Sequence, residues 1–324
     1  MSMRNRILLA LVAFLWATAC AAQTYPARPL TMIVPAPPGG ATDSLARVLA
    51  DEMGKSLGQP VIVDNKPGAA GLLAVQAVTR AAPDGYTLLL THAAPLVNTP
   101  HLLSKVPYNV RRDLAFVSLV ASGSVVLAVN RDVPAKDMKE FLAWAAGNKG
   151  AISYGSYGIG TFPHLVGAHL NRSRGLDMVH VAYKGEAQVA QDVSAGNVAW
   201  GIFSLGTLMP LVESGRLRPL AVFGDHRTKV LPNVPTMAES GLGDAEFTPA
   251  GWVGVLTRAG TPPDVLARLE KEARAAAHTP AMKLRLQTSS TEAIGSTSEQ
   301  FRQEFEKTEP VVKRLIAISG ARAD

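Results

Sequence analysis

The chain has 324 residues, of which 47% are hydrophobic and 18% charged, and 28 glycines and 22 prolines do not amount to low complexity. This is ordinary globular composition, and the length suffices for one large or two medium domains whose cores need no disulfide or metal. The formal net charge is +6, but no stripe of lysine and arginine is interleaved with aromatic residues. We therefore expect no nucleic acid partner, whereas a mild basic excess suits an anionic ligand.

The N-terminus has the pattern of a secretory signal peptide. Arg4 and Arg6 precede an unbroken apolar run over residues 7–16, and small residues follow up to Ala22. The apolar run is too short for a membrane span. We expect residues 1–22 to be removed on export to the periplasm; an N-terminal anchor helix is the alternative.

Cys20 is the single cysteine of the sequence. Lipoprotein anchoring at Cys20 is less favoured, since Ala17 stands three positions upstream where a leucine-like residue is preferred. Cleavage after residue 22 discards Cys20, which excludes thiol catalysis and cysteine-based metal sites in the mature chain. No apolar run of transmembrane length follows residue 22.

The first half of the mature chain alternates short apolar runs with helical patterns, which is typical of a sheet flanked by helices. Gly58 ends the first helix. The expected order is strand 30–34, helix 42–57, strand 61–63, helix 72–81 and strand 86–91.

A long β-rich run over residues 116–129, broken only by Ser122-Gly123-Ser124, is long enough to cross between two lobes. A second α/β set follows this run. Its expected elements are helix 136–146, strand 152–154, helix 161–170, strand 178–181, helix 185–195, strand 198–203, helix 207–214 and strand 220–223.

The last of these strands is expected to cross back to the first lobe. The sequence thus predicts a first lobe made of residues 23–125 and 224–324, and a second lobe of residues 126–223. The tail reads as helical, and Pro310 should kink or divide the last helix.

The turn Pro35-Ala-Pro-Pro-Gly39-Gly40 follows a strand and opens a helix. Two glycines let the backbone approach a ligand, and the helix start offers free N–H groups and partial positive charge. These features together predict a seat for a carboxylate or phosphate. The alternative is that Thr42 or Asp43 merely caps the helix.

The segment 153–164 is a second loop between a strand and a helix, with several glycines and hydroxyls. One such loop from each lobe would grip an acid from both sides; a glycine-rich solvent loop is the alternative. No Walker motif occurs, and Pro163 stands where a third Rossmann glycine belongs, so we expect no nucleotide cofactor.

The sequence gives little support to an enzyme or a metal site. Ser156 lacks the preceding glycine of a nucleophile elbow, because Tyr154 stands there. A triad of His92, His164 and Asp43 is conceivable, but no spacing demands it. No H-E-x-x-H pattern occurs, and Lys184 is a weak candidate for an anion contact.

Ordered markers along the whole mature chain resemble one family, the Bug-type substrate-binding proteins of tripartite tricarboxylate transporters. The markers are Tyr25-Pro26 with Arg28-Pro29, Val34-Pro35, Pro38-Gly39-Gly40-x-Thr42-Asp43, Asp64-Asn65-Lys66-Pro67-Gly68-Ala69, Ala82-Pro83-Asp84-Gly85-Tyr86-Thr87-Leu88, Pro107-Tyr108, Gly158-x-Gly160-Thr161-x-x-His164-Leu165, His180-Val181-x-Tyr183-Lys184-Gly185 and Pro232-x-Val234-Pro235-Thr236-x-x-Glu239-x-Gly241.

The resemblance implies an α/β, two-lobe periplasmic binding protein of the Venus-flytrap kind, with two crossing strands. It implies a non-enzymatic monomer without cofactor that holds a small carboxylate in the interlobe cleft, largely through backbone N–H groups, for a tripartite-type membrane permease. A ligand sensor for a signalling partner and, less favoured, a secreted hydrolase are the alternatives. The ligand-binding positions it implies are Pro38, Gly39, Gly40, Ala41, Thr42, Asp43, Thr91, His92, Ser156, Gly158, Gly160, Thr161, Phe162 and Ser204.

Several positions depart from the family pattern. Ser204-Leu205 stands where the family often has Asp-Asn, which argues against an amino acid ligand. Glu186 replaces a usually small residue; it would repel a second carboxylate if it faces the cleft, and it would have no effect on the ligand if it caps the following helix. Phe162-Pro163 replaces small polar residues, which would narrow or dry the cleft. Together these departures are compatible with an aromatic or monocarboxylate ligand. We expect closure about a hinge near residues 122–128 and 220–224.

Overall fold

The computed structural model describes residues 25–247, 251–287 and 291–323, so the predicted signal peptide 1–22 lies outside the described residues. The strands are β1 (Leu30–Val34), β2 (Val61–Asn65), β3 (Thr87–His92), β4 (Leu114–Gly123), β5 (Val125–Asn130), β6 (Ser153–Ser156), β7 (Val179–Ala182), β8 (Trp200–Ser204), β9 (Leu217–Phe223), β10 (Gly251–Arg258) and β11 (Thr291–Ala293). The α-helices are α1 (Ala41–Leu57), α2 (Leu72–Thr79), α3 (Ala94–Val97), α4 (Thr99–Leu102), α5 (Val110–Asp113), α6 (Met138–Gly147), α7 (Phe162–Arg174), α8 (Glu186–Ala195), α9 (Leu205–Glu213), α10 (Pro263–Ala277), α11 (Pro280–Gln287) and α12 (Ser298–Ser319).

The strands form two mixed sheets, each packed against helices. Sheet one has the order β11-β4-β10-β3-β1-β2, and sheet two has the order β7-β6-β8-β5-β9. Strand β1 is parallel to β2 and β3, whereas β10 is antiparallel to β3 and β4. Strand β6 is parallel to β7 and β8, whereas β5 is antiparallel to β8 and β9. The predicted α/β two-lobe binding-protein fold is confirmed.

The chain crosses from sheet one to sheet two through a single residue. Strand β4 ends at Gly123 and β5 begins at Val125, so Ser124 alone separates the two sheets. The predicted run 116–129 is therefore two strands, one in each sheet. The chain returns after β9, which ends at Phe223 and pairs there with Val125.

Strand β10 lies in the middle of sheet one, between β4 and β3, and the sequence analysis assigned no strand there. Gly254 interrupts its apolar pattern. A Cβ atom at Gly254 would lie 2.3 Å from Cζ of Phe301, so the aromatic ring of α12 occupies that space. The glycine that weakens the strand signal is thus a packing requirement.

The last helix, α12, runs through Pro310 without ending there, so of the predicted kink or division the division is wrong, and the kink stays a prediction. Its apolar face is buried on both sides of the proline, at Phe301 and Phe305 before it and at Val312 and Leu315 after it. Helix α12 packs against β4 of sheet one and against α7 beside sheet two. Within the described ranges, no helix combines the length and apolar character needed to span a membrane.

Candidate ligand-binding site

The carboxyl ends of the parallel strands of both sheets lie beside the interlobe crossing. Strand β3 ends at His92, which pairs with Val253; Val253 pairs in turn with Ala121, near the end of β4. Strand β8 ends at Ser204, which pairs with Val125 at the start of β5. The ends of β3 and β8 therefore flank the crossing from opposite lobes. Open α/β sheets bind ligands at the carboxyl ends of their strands.

Loop 1, residues 35–40, connects β1 to α1 and ends at a helix start that no side chain caps. Gly40 is the N-cap residue of α1, and no side chain forms a capping hydrogen bond at this helix start. Gly39 has a φ of +82°, in the left-handed region that favours glycine. The free N–H groups and the positive dipole end of α1 therefore lie at the carboxyl edge of sheet one. Solvent reaches five of the six residues predicted here, namely Pro38, Gly39, Gly40, Ala41 and Thr42.

Asp43, the sixth predicted residue, is 2% exposed and shapes loop 1 from within. Its carboxylate accepts hydrogen bonds from the Gly39 N–H at 2.9 Å, from Asn65 Nδ2 at 2.9 Å and from Arg47 Nε at 3.0 Å. The bond from Arg47, followed by those from Gly39 and Asn65, lowers the pKa of Asp43 to about 2. No side chain caps α1, against the alternative that Thr42 or Asp43 does so.

Thr91 and His92, at the end of β3, differ sharply in their surroundings. Thr91 is buried and its Oγ1 donates to the His92 carbonyl at 3.0 Å. The His92 side chain is exposed to solvent, and yet desolvation by the surrounding protein lowers its pKa. Because β1 and β3 are parallel, with Ile33 paired to Leu89, His92 and loop 1 both lie at the carboxyl edge of sheet one.

Loop 2, residues 157–161, connects β6 to α7 and also ends at a helix start without a side-chain cap. Thr161 is the N-cap residue, but its Oγ1 donates to the Gly158 carbonyl at 2.7 Å instead. Gly158 and Gly160 have φ values of +134° and +76°, respectively. Loop 2 therefore resembles loop 1 in that it offers main-chain groups rather than a capping side chain.

A buried polar cluster supports loop 2 from inside the second lobe. The Ser156 Oγ lies 2.7 Å from His180 Nε2 and donates to the Gly158 carbonyl at 3.1 Å. The Gly160 N–H donates to His164 Nδ1 at 3.0 Å, and the His164 and His180 rings stack with centroids 4.2 Å apart. Burial, and then the neighbouring His164, lower the pKa of His180 to about 4. The cluster fixes the backbone of loop 2.

The Ser156–His180 pair differs from the machinery of a serine hydrolase. The Ser156 side chain is completely buried, so its hydroxyl does not reach the solvent side of loop 2. Among the described residues, no carboxylate hydrogen-bonds to His180. The conceivable triad of His92, His164 and Asp43 is not assembled, because Asp43 is engaged in loop 1 and His164 in loop 2.

A segment that the sequence analysis missed, α3 and α4, connects the two loops. Asn98 Nδ2 donates to the Gly160 carbonyl at 2.9 Å. A Cβ atom at Gly160 would lie 2.6 Å from Leu102 Cδ1, so the segment packs directly on loop 2. At its other end, Pro95 fills the space beside Gly71, next to Pro35 of loop 1. In the sequence, the one indication of this segment is the polar Asn98 directly after the apolar residues 94–97.

A surface cavity of ≈ 630 Å³ lies elsewhere. It is lined by Gly54 and Gly58 at the end of α1 and by Pro60 and Val61 at the start of β2. These residues mark the edge of sheet one opposite to loop 1, so we do not assign the ligand to it.

The family model described as the tripartite tricarboxylate transporter family receptor matches residues 45–320. The chain belongs to this receptor family. It is 37% identical to Protein BugT of Bordetella pertussis over 270 residues, which cover 82% of each chain. The resemblance found in the sequence is thereby confirmed.

Solved structures of similar proteins share the fold of the receptor. The periplasmic binding protein BugD is 31% identical, with a TM-score of 0.71 over 93% of this chain and 100% of BugD. A Rhodopseudomonas palustris protein with adipate is 26% identical, with a TM-score of 0.74 over 92% and 99% of the two chains. MatC of the same organism, with bound malate, is 28% identical, with a TM-score of 0.68 over 89% and 100%.

The remaining predicted positions of the receptor lie around the ends of β8 and β9. Phe162, the first residue of α7, packs edge-on against Phe223 with ring centroids 5.3 Å apart. Ser204 is the N-cap residue of α9, and both its N–H and its hydroxyl bond the carboxylate of Glu186. Lys184 is exposed and makes no ion pair within the described part of the chain.

Proposed function

We propose that this receptor captures a small carboxylate between loop 1 and loop 2 and delivers it to a tripartite-type membrane permease. The observation that carries the proposal is the pair of helix starts without side-chain caps, at Gly40 and Thr161. One belongs to each lobe, and both follow the carboxyl end of a strand beside the crossing. Adipate and malate, the acids bound to two similar proteins, support a carboxylate as the ligand class.

The chemistry of the two loops suits an acid group. A helix start combines unpaired N–H donors with about half a unit of positive charge, and both favour an anion. Gly39 and Gly40 bring no side chain between this backbone and a ligand; nothing lies within 4 Å of a Cβ built at Gly39. Exposed His92, at the same carboxyl edge of sheet one as loop 1, adds a polar contact. Of the fourteen predicted positions, Asp43, Thr91, Ser156 and Gly160 are buried, and we propose them as supports of the site; the other ten remain proposals as ligand contacts.

Lobe closure follows from the connection between the sheets. Ser124 alone links β4 to β5, and Gly224, directly after β9, has a φ of +141°. These positions fall within the hinge proposed near residues 122–128 and 220–224, with lobes of residues 23–125 plus 224–324 and 126–223. A ligand that contacts both loops binds the closed arrangement better than the open one and so shifts the population toward it.

Export and partnership complete the proposal. Removal of residues 1–22 would release a monomer into the periplasm, where its closed form would dock on the permease. Purification of the mature chain from the periplasm, with mass measurement of the intact protein, tests both the cleavage site and the absence of a lipid at Cys20.

The decisive experiment is a thermal-unfolding screen of the mature protein against a broad panel of small mono- and dicarboxylates, followed by calorimetric titration of the hits. At a hundredfold excess over the dissociation constant, a true ligand adds about 2.7 kcal/mol to the free energy of unfolding. A panel without a single stabilising acid would overturn the proposal, as would turnover of a bound acid or ester.

A further inference from the structure

The second lobe carries a carboxylate of its own at the candidate site. Glu186 is the first residue of α8, and its carboxylate accepts hydrogen bonds from the Ser204 N–H and, at 3.1 Å, from the Ser204 hydroxyl. Ser204 is the N-cap residue of α9. The N–H of the N-cap residue at a third helix start near the crossing is therefore bonded to an internal acid group.

The position of Glu186 relative to the cleft follows from the register of sheet two. Ser204 ends β8 opposite Val125, the first residue after the crossing. Strand β6, parallel to β8, ends nearby at Ser156 and continues into loop 2. Burial, followed by the negative charge of Glu186, raises the pKa of Tyr157 in loop 2. Glu186 therefore lies at the start of α9, near enough to loop 2 for its charge to act on Tyr157.

Among the described residues no ion pair balances the charge of Glu186, and its hydrogen-bond partners there are the two groups of Ser204. Desolvation by the surrounding protein raises the pKa of Tyr157 and lowers that of His92, so neither side chain supplies a charge near pH 7. A second anion in this part of the cleft would meet a like charge, and the Ser204 N–H that could otherwise receive it is already bonded to Glu186.

We propose that Glu186 is a specificity-determining residue that makes the cleft select monocarboxylates over dicarboxylates. The ligand's acid group binds at the helix starts of loop 1 and loop 2, and its other end, directed toward Glu186, is uncharged. This inference rests on the proposed function and narrows its ligand class.

The test compares hexanoate with adipate, which have the same number of carbons and differ by one carboxylate. Dissociation constants are measured by calorimetric titration for wild type, for Glu186→Gln, and for Glu213→Gln as the control. Glu213 is exposed at the far end of α9, so its replacement removes the same charge from the same lobe without touching the site. Glutamine retains an oxygen that accepts from Ser204.

The wild type and the Glu213→Gln control are expected to bind hexanoate about tenfold or more tightly than adipate, since like charges at contact range disfavour binding by at least that factor. Glu186→Gln should shrink this ratio toward one by strengthening adipate binding. Tighter binding of adipate than of hexanoate by wild type overturns the inference, even if Glu186→Gln fails to fold. An unchanged ratio in a folded Glu186→Gln overturns it as well. Binding of neither acid, nor of any other carboxylate, by wild type and variants would instead overturn the proposed function.

Discussion

The side-chain amide of Asn98 donates a 2.9 Å hydrogen bond to the carbonyl of Gly160, and this bond joins the first lobe to loop 2 of the second. We expect Asn98→Ala to lower the free energy of unfolding by about 1 kcal/mol, the usual contribution of such a bond. The control is Asn148→Ala, whose amide makes an exposed, local bond to the Trp144 carbonyl. Urea unfolding should show a clear loss for Asn98→Ala alone; equal losses would contradict a connecting role.

A glycine is required at position 160 both by the backbone conformation and by the side chain of Leu102 packed against it. It has a φ of +76°, and an added Cβ would meet Leu102 Cδ1 at 2.6 Å. Gly215 has a φ of +67° with nothing within 4 Å, so Gly215→Ala carries the backbone strain alone. Crowding should make Gly160→Ala destabilise by about 1–3 kcal/mol more than Gly215→Ala. In a Leu102→Ala background, Gly160→Ala should cost less than it does in wild type; an equal cost in both backgrounds would show that Leu102 is not the obstacle.

Gly40 offers a way to block loop 1 without disturbing the fold. Its φ of −73° suits any residue, and a Cβ there would meet only the Pro37 carbonyl oxygen, at 3.5 Å. We expect Gly40→Leu to weaken carboxylate binding about tenfold or more, because the side chain covers the N–H groups of the first turn. Gly147→Leu, at an exposed position with nothing within 4 Å, is the matched control.

Titration calorimetry and thermal unfolding separate the two effects of Gly40→Leu. Binding should fall while the melting temperature of the ligand-free protein stays near that of wild type and of Gly147→Leu. Unchanged affinity in a folded Gly40→Leu protein would remove loop 1 from the site.

The cluster beneath loop 2 should make stability depend on pH. His180 has a pKa of about 4 in the folded protein, against 6.5 for an ordinary histidine, because burial and then His164 disfavour its charged form. The unfolded chain therefore binds a proton first, so stability is complete above about pH 6.5 and declines as the pH falls toward 4. Between pH 7.5 and 4.5, the free energy of unfolding measured with a chemical denaturant should fall less steeply with pH in His180→Gln than in wild type. His226→Gln, at an exposed histidine, should retain the wild-type slope; if His180→Gln does too, the cluster does not titrate as described.

Much of the architecture was predictable because its signals are local. Strands β1, β3 and β9 and helices α1 and α8 lie close to their predicted ranges, since apolar runs, helical periodicity and terminal glycines mark them directly. The glycines of loops 1 and 2 likewise predicted that the backbone of these loops approaches a ligand closely. The first crossing was predictable because the β-rich run 116–129 is too long for one strand.

Other features depend on contacts between distant residues, which no single sequence displays. Gly254 interrupts the apolar pattern by which β10 could have been predicted, and it is a glycine because the ring of Phe301 occupies the space of a side chain. Asp43 read as a candidate ligand contact, but the structure pairs it with Asn65 and Arg47. Asn98 carried almost no signal, since its partner Gly160 lies in the other lobe. The inward-facing side chains that hold the loops were the hardest part of the site to predict.

The place of β10 in sheet one also fixes an order of assembly. Every strand of sheet two comes from residues 125–223, whereas β10, the strand that joins β3 to β4, is not synthesised until residues 251–258. A chain that emerges from the N-terminus therefore presents all strands of the inserted sheet before the surrounding sheet can close. Until then the edges of β3 and β4 that face each other are unpaired, and such edges are open to pairing with other chains.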